Sequence, residues 1–220
     1  MSARIDDILE AARAHTREVI LPNVDAWNAA RKWPRAASDQ AAAAGLTGLY
    51  APEEWGGQGL PLSEGIRVYE ELGQGDGAYA FALSMHNICT FAVCGYGTEA
   101  FKEAWARDLT SGRKLANFAL TEPQSGSDAT TMYSRATING DGTWTINGKK
   151  AWVSLAGEAD VYLTVVKTSD TPGHGDMAMI AIPKDTPGLS FGPLYDTPSY
   201  NFLPLAEMFL DNVTVSEDNI

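Results

Sequence analysis

The hydrophobic period of this chain changes once, near residue 115, and that change limits what it can fold into. Before it, apolar residues recur at helical spacing, at Ile5, Ile8, Leu9 and Ala12 and then at Val19 and Ile20. Residues three and four apart share one helix face, so this spacing predicts amphipathic helices. Further helices are expected over 36–44, stopped by Gly45, and over 62–73, 76–94 and 98–109. The stretch "APEEWGGQGL" is a loop, punctuated by Pro52, Gly56, Gly57 and Gly59. After residue 115 the period falls to two. "SRATINGDGTWTINGKKAWVSL" carries two turn signals, Asn139-Gly140 through Gly142 and then Asn147-Gly148. Such residues tolerate the positive φ of tight hairpins. Strands are expected over 160–167 and 177–182, with a last one near 207–215. The architecture this predicts is α+β: an all-helical domain over 1–114, then a small antiparallel β-barrel or sandwich over 115–220.

At 220 residues and 45% hydrophobic content, the chain can bury a real core. A net charge of -12 argues against nucleic acid or an anionic membrane as partner. The N-terminal "MSARIDDILE" is charged and amphipathic, unlike a signal peptide. The most apolar stretch, 78–94, is broken by His86 and Asn87, so no membrane span is expected. The chain reads as soluble and cytoplasmic. Cys89 and Cys94 are spaced to lie apart around a helix, which disfavours a disulfide. His86 and Cys89 share a helical face, but no further ligand cluster completes a metal site.

Two segments carry chemistry. "FALTEPQSGSDA" (118–129) starts as a buried strand and opens into a loop of small hydroxyls and glycine. Its donors and free amides suit a ligand with carbonyls, ring nitrogens or phosphates, and equally an Asx or Ser turn between strands. "NGKKAWVSLAGEAD" (147–160) places Trp152 and Ser154 two apart, on one side of a strand, where they can flank a flat heterocycle or pack in a core. "GQGDG" (73–77) looks like a glycine fingerprint, but no strand precedes it and Asp76 would repel phosphate. It reads as a helix–helix turn.

Together these segments resemble the acyl-CoA dehydrogenases. "FALTEPQSGSDA" looks like that family's signature, and "NGKKAWVS" like its second flavin motif, usually read as Trp-Ile-Thr. "APEEWGGQGLPLSEGIRVYEELG", "YGTEAFKEAWARDLTSGRKLANFALTEP" and "DNVTVSEDNI" match other parts of the family in order, so the resemblance spans nearly the whole chain. It implies FAD, with the backbone at Phe118 and Leu120 bordering the isoalloxazine and Thr121 on its pyrimidine edge. Gly126 would permit close approach, and Ser127 would reach flavin phosphate or the substrate's carrier arm. Trp152 would pack on the ring and Ser154 would hydrogen-bond near N5. Glu122 invites a catalytic-base reading, but in the family this position is structural. On the helix at 76–94, the face with Ala80, Leu83, Ser84 and Asn87 fits either an acyl pocket or core packing.

Departures from the family pattern are Gln124, Ser125 and Thr131 in the signature, Ser216 for a usual proline, and the absence of Gly-x-Arg from "PLYDTPSYNFLPLA". The chain stops at Ile220, where the family's C-terminal helical bundle would begin. That bundle normally supplies the glutamate base, so a fragment or one half of a split enzyme is expected. The implied reaction is α,β-desaturation of an acyl-CoA or carrier-protein thioester. A carboxylate takes the α-proton, and hydride leaves the β-carbon for the flavin. An electron-transfer flavoprotein would be the acceptor and a homo-oligomer the complete form. The rivals are a same-fold flavin oxidase or monooxygenase and a non-catalytic subunit.

Overall fold

The first helix of the computed structural model, which describes residues 2–169 and 176–220, runs on through a π turn. Helix α1 (Ser2–His15) passes through that turn at Thr16–Ile20 into α2 (Leu21–Ala30), which ends where Arg31 turns left-handed at φ 50°. Then come α3 (Arg35–Ala43), α4 (Leu62–Gly73), α5 (Gly77–Tyr96) and α6 (Glu99–Thr110). Asp76 caps α5 by accepting from the Tyr79 N–H, so "GQGDG" is the α4–α5 turn, as its sequence suggested. By length and composition α5, with a mean hydropathy of 1.2, could cross a membrane. In this fold it is the central helix, packed between α4 and α6 with Ala82, Leu83, Cys89 and Val93 buried.

The contacts divide the chain into two compact units, and the division is not a single cut. Asp196–Pro204 belongs with Met1–Leu115, whereas Ala116–Tyr195 and Leu205–Ile220 form the other unit. Within the helical unit this strap is held by rings. Phe202, fully buried, meets Trp27 at 5.7 Å and Trp33 at 6.1 Å, and both tryptophans stack on Tyr79. The Tyr79 hydroxyl donates to the Ala37 carbonyl at 2.8 Å and therefore accepts from His15 Nε2, 2.9 Å away.

The second unit is one seven-stranded sheet: β1 (Ala116–Ala119), β2 (Arg135–Ile138), β3 (Thr143–Ser154), β4 (Val161–Lys167), β5 (Met177–Pro183), β6 (Leu189–Phe191) and β7 (Leu205–Ser216). It is mixed, not wholly antiparallel as expected. Both β1 and β2 run parallel to β4, β1 along Val161–Thr164 and β2 at Lys167, whereas the other pairs are antiparallel. The reason lies in the connection. Strands β1 and β2 follow one another along the same edge of β4, so residues 120–134 form an excursion inside what is otherwise one strand line. The Asn139–Gly142 turn joins β2 to β3 as predicted. At Asn147-Gly148 there is no hairpin. β3 runs straight through, with a register shift against β7, and Gly148 is required because a Cβ there would collide with Ser134.

Candidate functional site

The excursion is closed at its neck by hydrogen bonds to β3. The Ala151 N–H donates to the Thr121 carbonyl at 2.8 Å, which brings the two segments singled out by sequence side by side. Inside the loop, Glu122 and Ser125 exchange backbone bonds of 2.7 and 3.1 Å. The Ser125, Thr130 and Thr131 hydroxyls all bond to Asp128. Part of the loop is therefore the Asx-type turn that the sequence allowed.

Beneath it lies a buried ion pair. Lys150 Nζ stands 2.8 Å from Glu122 Oε1 and 3.1 Å from the Leu120 carbonyl, with Lys150 0% and Glu122 3% exposed. Glu122 also accepts from the Tyr133 N–H (2.6 Å), the Ser134 N–H (2.9 Å) and Gln124 Nε2 (2.7 Å). Every partner of Glu122 is a donor, which identifies it as a carboxylate. Burial pushes its pKa up, but the Lys150 bond and those from Ser134 and Tyr133 outweigh this and leave it at about 2. A group so held has no lone pair to offer a substrate proton, which agrees with a structural place for Glu122. Sequence reasoning passed over Lys150. Two consecutive lysines in a strand point to opposite faces, so one had to be buried and needed a carboxylate.

Trp152 sits in a bulge. From Lys150 to Val153, β3 takes three steps against two on β7, from Met208 to Ala206. Trp152 has φ 59° and is 60% exposed, whereas Ser154 is buried. The strict alternation that placed these two side chains on one face fails here, because the extra residue resets the pleat. A left-handed φ on a large side chain is strained, and such strain gathers at binding sites. The exposed indole rests against Tyr195, ring centroids 4.5 Å apart.

The remaining candidates divide cleanly. Phe118 on β1, Leu120 and Thr121 are half-buried, and Gly126 and Ser127 are exposed. Among the described residues, the hydroxyls of Thr121, Ser127 and Ser154 make no side-chain hydrogen bond, in contrast to the loop hydroxyls tied to Asp128. Gly126 has no positive φ, and a Cβ there would meet only Thr121 Cγ2, at an ordinary 3.8 Å. The fold does not require that glycine. Leu83 and Asn87 lie elsewhere, in the core of the helical unit, both 0% exposed. Asn87 accepts from the Leu49 N–H and donates to the Leu46 and Leu83 carbonyls, which uses both of its N–H groups and one oxygen lone pair. Within this unit they pack the core.

The chain matches the acyl-CoA dehydrogenase N-terminal domain over residues 2–113 and the middle domain over residues 117–213. It belongs to the acyl-CoA dehydrogenase family. The mitochondrial isobutyryl-CoA dehydrogenase of Dictyostelium discoideum is 33% identical over 204 residues, which cover 93% of this chain and 49% of that protein. Butyryl-CoA dehydrogenase from Megasphaera elsdenii superposes with a TM-score of 0.91 at 30% identity, over 100% of this chain and 58% of that one. Glutaryl-CoA dehydrogenase from Mycobacterium smegmatis, solved in complex with FADH2, gives 0.87 at 26% identity, over 98% and 54%. The chain thus spans about half the length of the curated acyl-CoA dehydrogenases it matches. Both of its candidate segments, 118–129 and 147–154, fall in the acyl-CoA dehydrogenase middle domain.

Proposed function

We propose that this protein works in the FAD-dependent α,β-desaturation of an acyl thioester, and that residues 118–127 and 152–154 hold the edge of the flavin. One observation carries the reading. The loop that bears the uncommitted Thr121 and Ser127 hydroxyls and a glycine the fold does not need is bonded through the Thr121 carbonyl to Ala151, the residue before an exposed, left-handed tryptophan. A flat, polar-edged heterocycle suits that donor set, since the indole offers a face and the hydroxyls offer hydrogen bonds. FAD, when bound, supplies the hydride acceptor.

The chain's own residues bind and orient. The Thr121 and Ser154 hydroxyls donate to the ring's polar edge, where donors favour developing negative charge. The backbone at Phe118 and Leu120 would border the ring, and Trp152 would pack on it. Gly126 leaves room for the cofactor, and Ser127 meets a phosphate or the substrate's carrier arm. The acyl group arrives on coenzyme A or a carrier protein, electrons leave to a flavoprotein acceptor, and the working form is a homo-oligomer.

The test is direct. The protein, purified in its full-length or assembled form, is titrated with FAD, and a panel of acyl-CoA thioesters is then added without oxygen. Flavin bleaching by at least one thioester is the expected result. No FAD uptake, or no bleaching by any thioester by a protein replete with FAD, would refute the reading.

A further inference from the structure

We infer that Glu122 and Lys150 are positioning residues that hold the Thr121 loop against the Trp152 bulge, so that FAD affinity depends on their pairing; the FAD part rests on the function proposed above.

Their bonds show what they fix. Apart from each other and Gln124, the pair bonds only main chain: the Leu120 carbonyl at one end of the excursion and the Tyr133 and Ser134 amides at the other. Thr121 lies between Leu120 and Glu122 in sequence, and its carbonyl takes the N–H of Ala151, the residue joining Lys150 to Trp152. Each ionic partner is thus one or two residues along the chain from a residue of the flavin edge. On the opposite strand only Lys149 and Lys150 separate Gly148, which Ser134 crowds, from Ala151. The pair therefore cinches a long loop onto a short stretch of strand.

Stability alone is a poor account of such a pair. Desolvating two charges costs nearly as much as their attraction returns, and apolar residues of similar volume often serve a core as well or better. What apolar residues do not supply is acceptors for two amides and a donor for one carbonyl at fixed places. The structure therefore assigns the pair to the path of the loop.

The test compares the wild-type protein with Lys150→Met, Glu122→Gln and the double variant Glu122→Leu/Lys150→Met, the last leaving no unpaired charge. FAD affinity and the flavin absorption bands are measured, and amide exchange is followed in the FAD-free protein. Each variant that folds is expected to bind FAD at least about tenfold more weakly, with shifted bands. Exchange over 120–134 and 151–154 should quicken about tenfold or more, while the β4–β5 amides keep their wild-type rates. If the single variants do not fold, the double variant decides. Wild-type FAD affinity and loop exchange in the double variant would overturn the inference. So would its unfolding, or a uniform rise in exchange, because either would make the pair a support of the whole fold. Failure of the wild-type protein to take up FAD would overturn the flavin reading and the affinity part with it. The exchange measurement, made without FAD, separates that failure from failure of the positioning role.

Discussion

Trp152 offers a way to separate what a residue does for the fold from what it does for a ligand. Replacing it with glycine or with alanine removes the same indole, so the lost contact with Tyr195 and the lost apolar burial cancel when the two variants are compared. What remains is the backbone at φ 59°. Holding an L-residue left-handed costs roughly 1–2 kcal/mol, which glycine escapes. Glycine's greater freedom in the unfolded chain acts the other way by roughly 0.5–1 kcal/mol. The glycine variant should therefore be the more stable by about 0.5–1 kcal/mol, whereas at an ordinary strand position alanine would lead by a similar margin. Urea unfolding of both FAD-free variants, followed by circular dichroism, measures the difference. Alanine proving the more stable would refute the claim that the bulge stores strain. FAD affinity gives the second half of the test. Both variants lack the ring, whose stacking is worth about 1 kcal/mol, so both should bind about fivefold more weakly. A glycine variant more stable than the alanine variant but equally weak for FAD would mean that the ligand uses the indole and that relaxing the backbone does not replace it.

Three further outcomes are expected. Gly126→Ala should leave urea stability within about 0.5 kcal/mol of wild type, since the added methyl meets only ordinary contacts, yet lower FAD affinity in a titration. Asn87→Ala should destabilise the helical unit by about 3 kcal/mol in thermal or urea unfolding, because it strands the buried Leu49 amide and the buried Leu46 carbonyl, while the Leu83 carbonyl keeps its helix bond. Burial lowers the pKa of His15 from 6.5 to about 4, so the folded unit favours the neutral ring. Above about pH 6.5 this has no effect; as pH falls toward 4 the unfolded chain binds the proton first, and stability declines by up to about 3 kcal/mol. His15→Phe should flatten that slope in urea unfolding measured across the window, while the loss due to Glu122 comes only as pH falls from about 4.5 toward 2.

The helices were legible because their apolar stripes and breakers agree. Gly45, Gly73 and Asp76 each stand within two residues of an observed helix end. The sheet was less so. Strand β4 is buried on both faces, so its sequence "VYLTVVK" shows no alternation that would reveal two parallel neighbours. Asn147-Gly148 has the composition of a turn but serves close packing against Ser134, a tertiary demand that no local rule contains. At the candidate site the two segments were visible as motifs, but their pairing rests on long-range bonds, from Ala151 to Thr121 and from Lys150 to Leu120 and Glu122, that no local pattern contains. Lys150 was hidden because a lysine in a strand ordinarily faces water. For Leu83 and Asn87 the helical spacing allowed either an acyl pocket or core packing, and within this unit both side chains are buried.

The strap at Asp196–Pro204 means that the helical unit is not one continuous stretch of its gene. A polypeptide cut after Leu115 would carry all six helices and still lack Phe202, leaving Trp27, Trp33 and Tyr79 around a hole the size of a phenyl ring. Removing such a side chain typically costs 3–5 kcal/mol, a large share of what holds a small domain together. Recombination at the apparent linker would thus yield a crippled module, while a transplant that carried residues 196–204 along would keep its core intact. Inheritance of this unit is tied to inheritance of the sheet in whose sequence its missing piece is written.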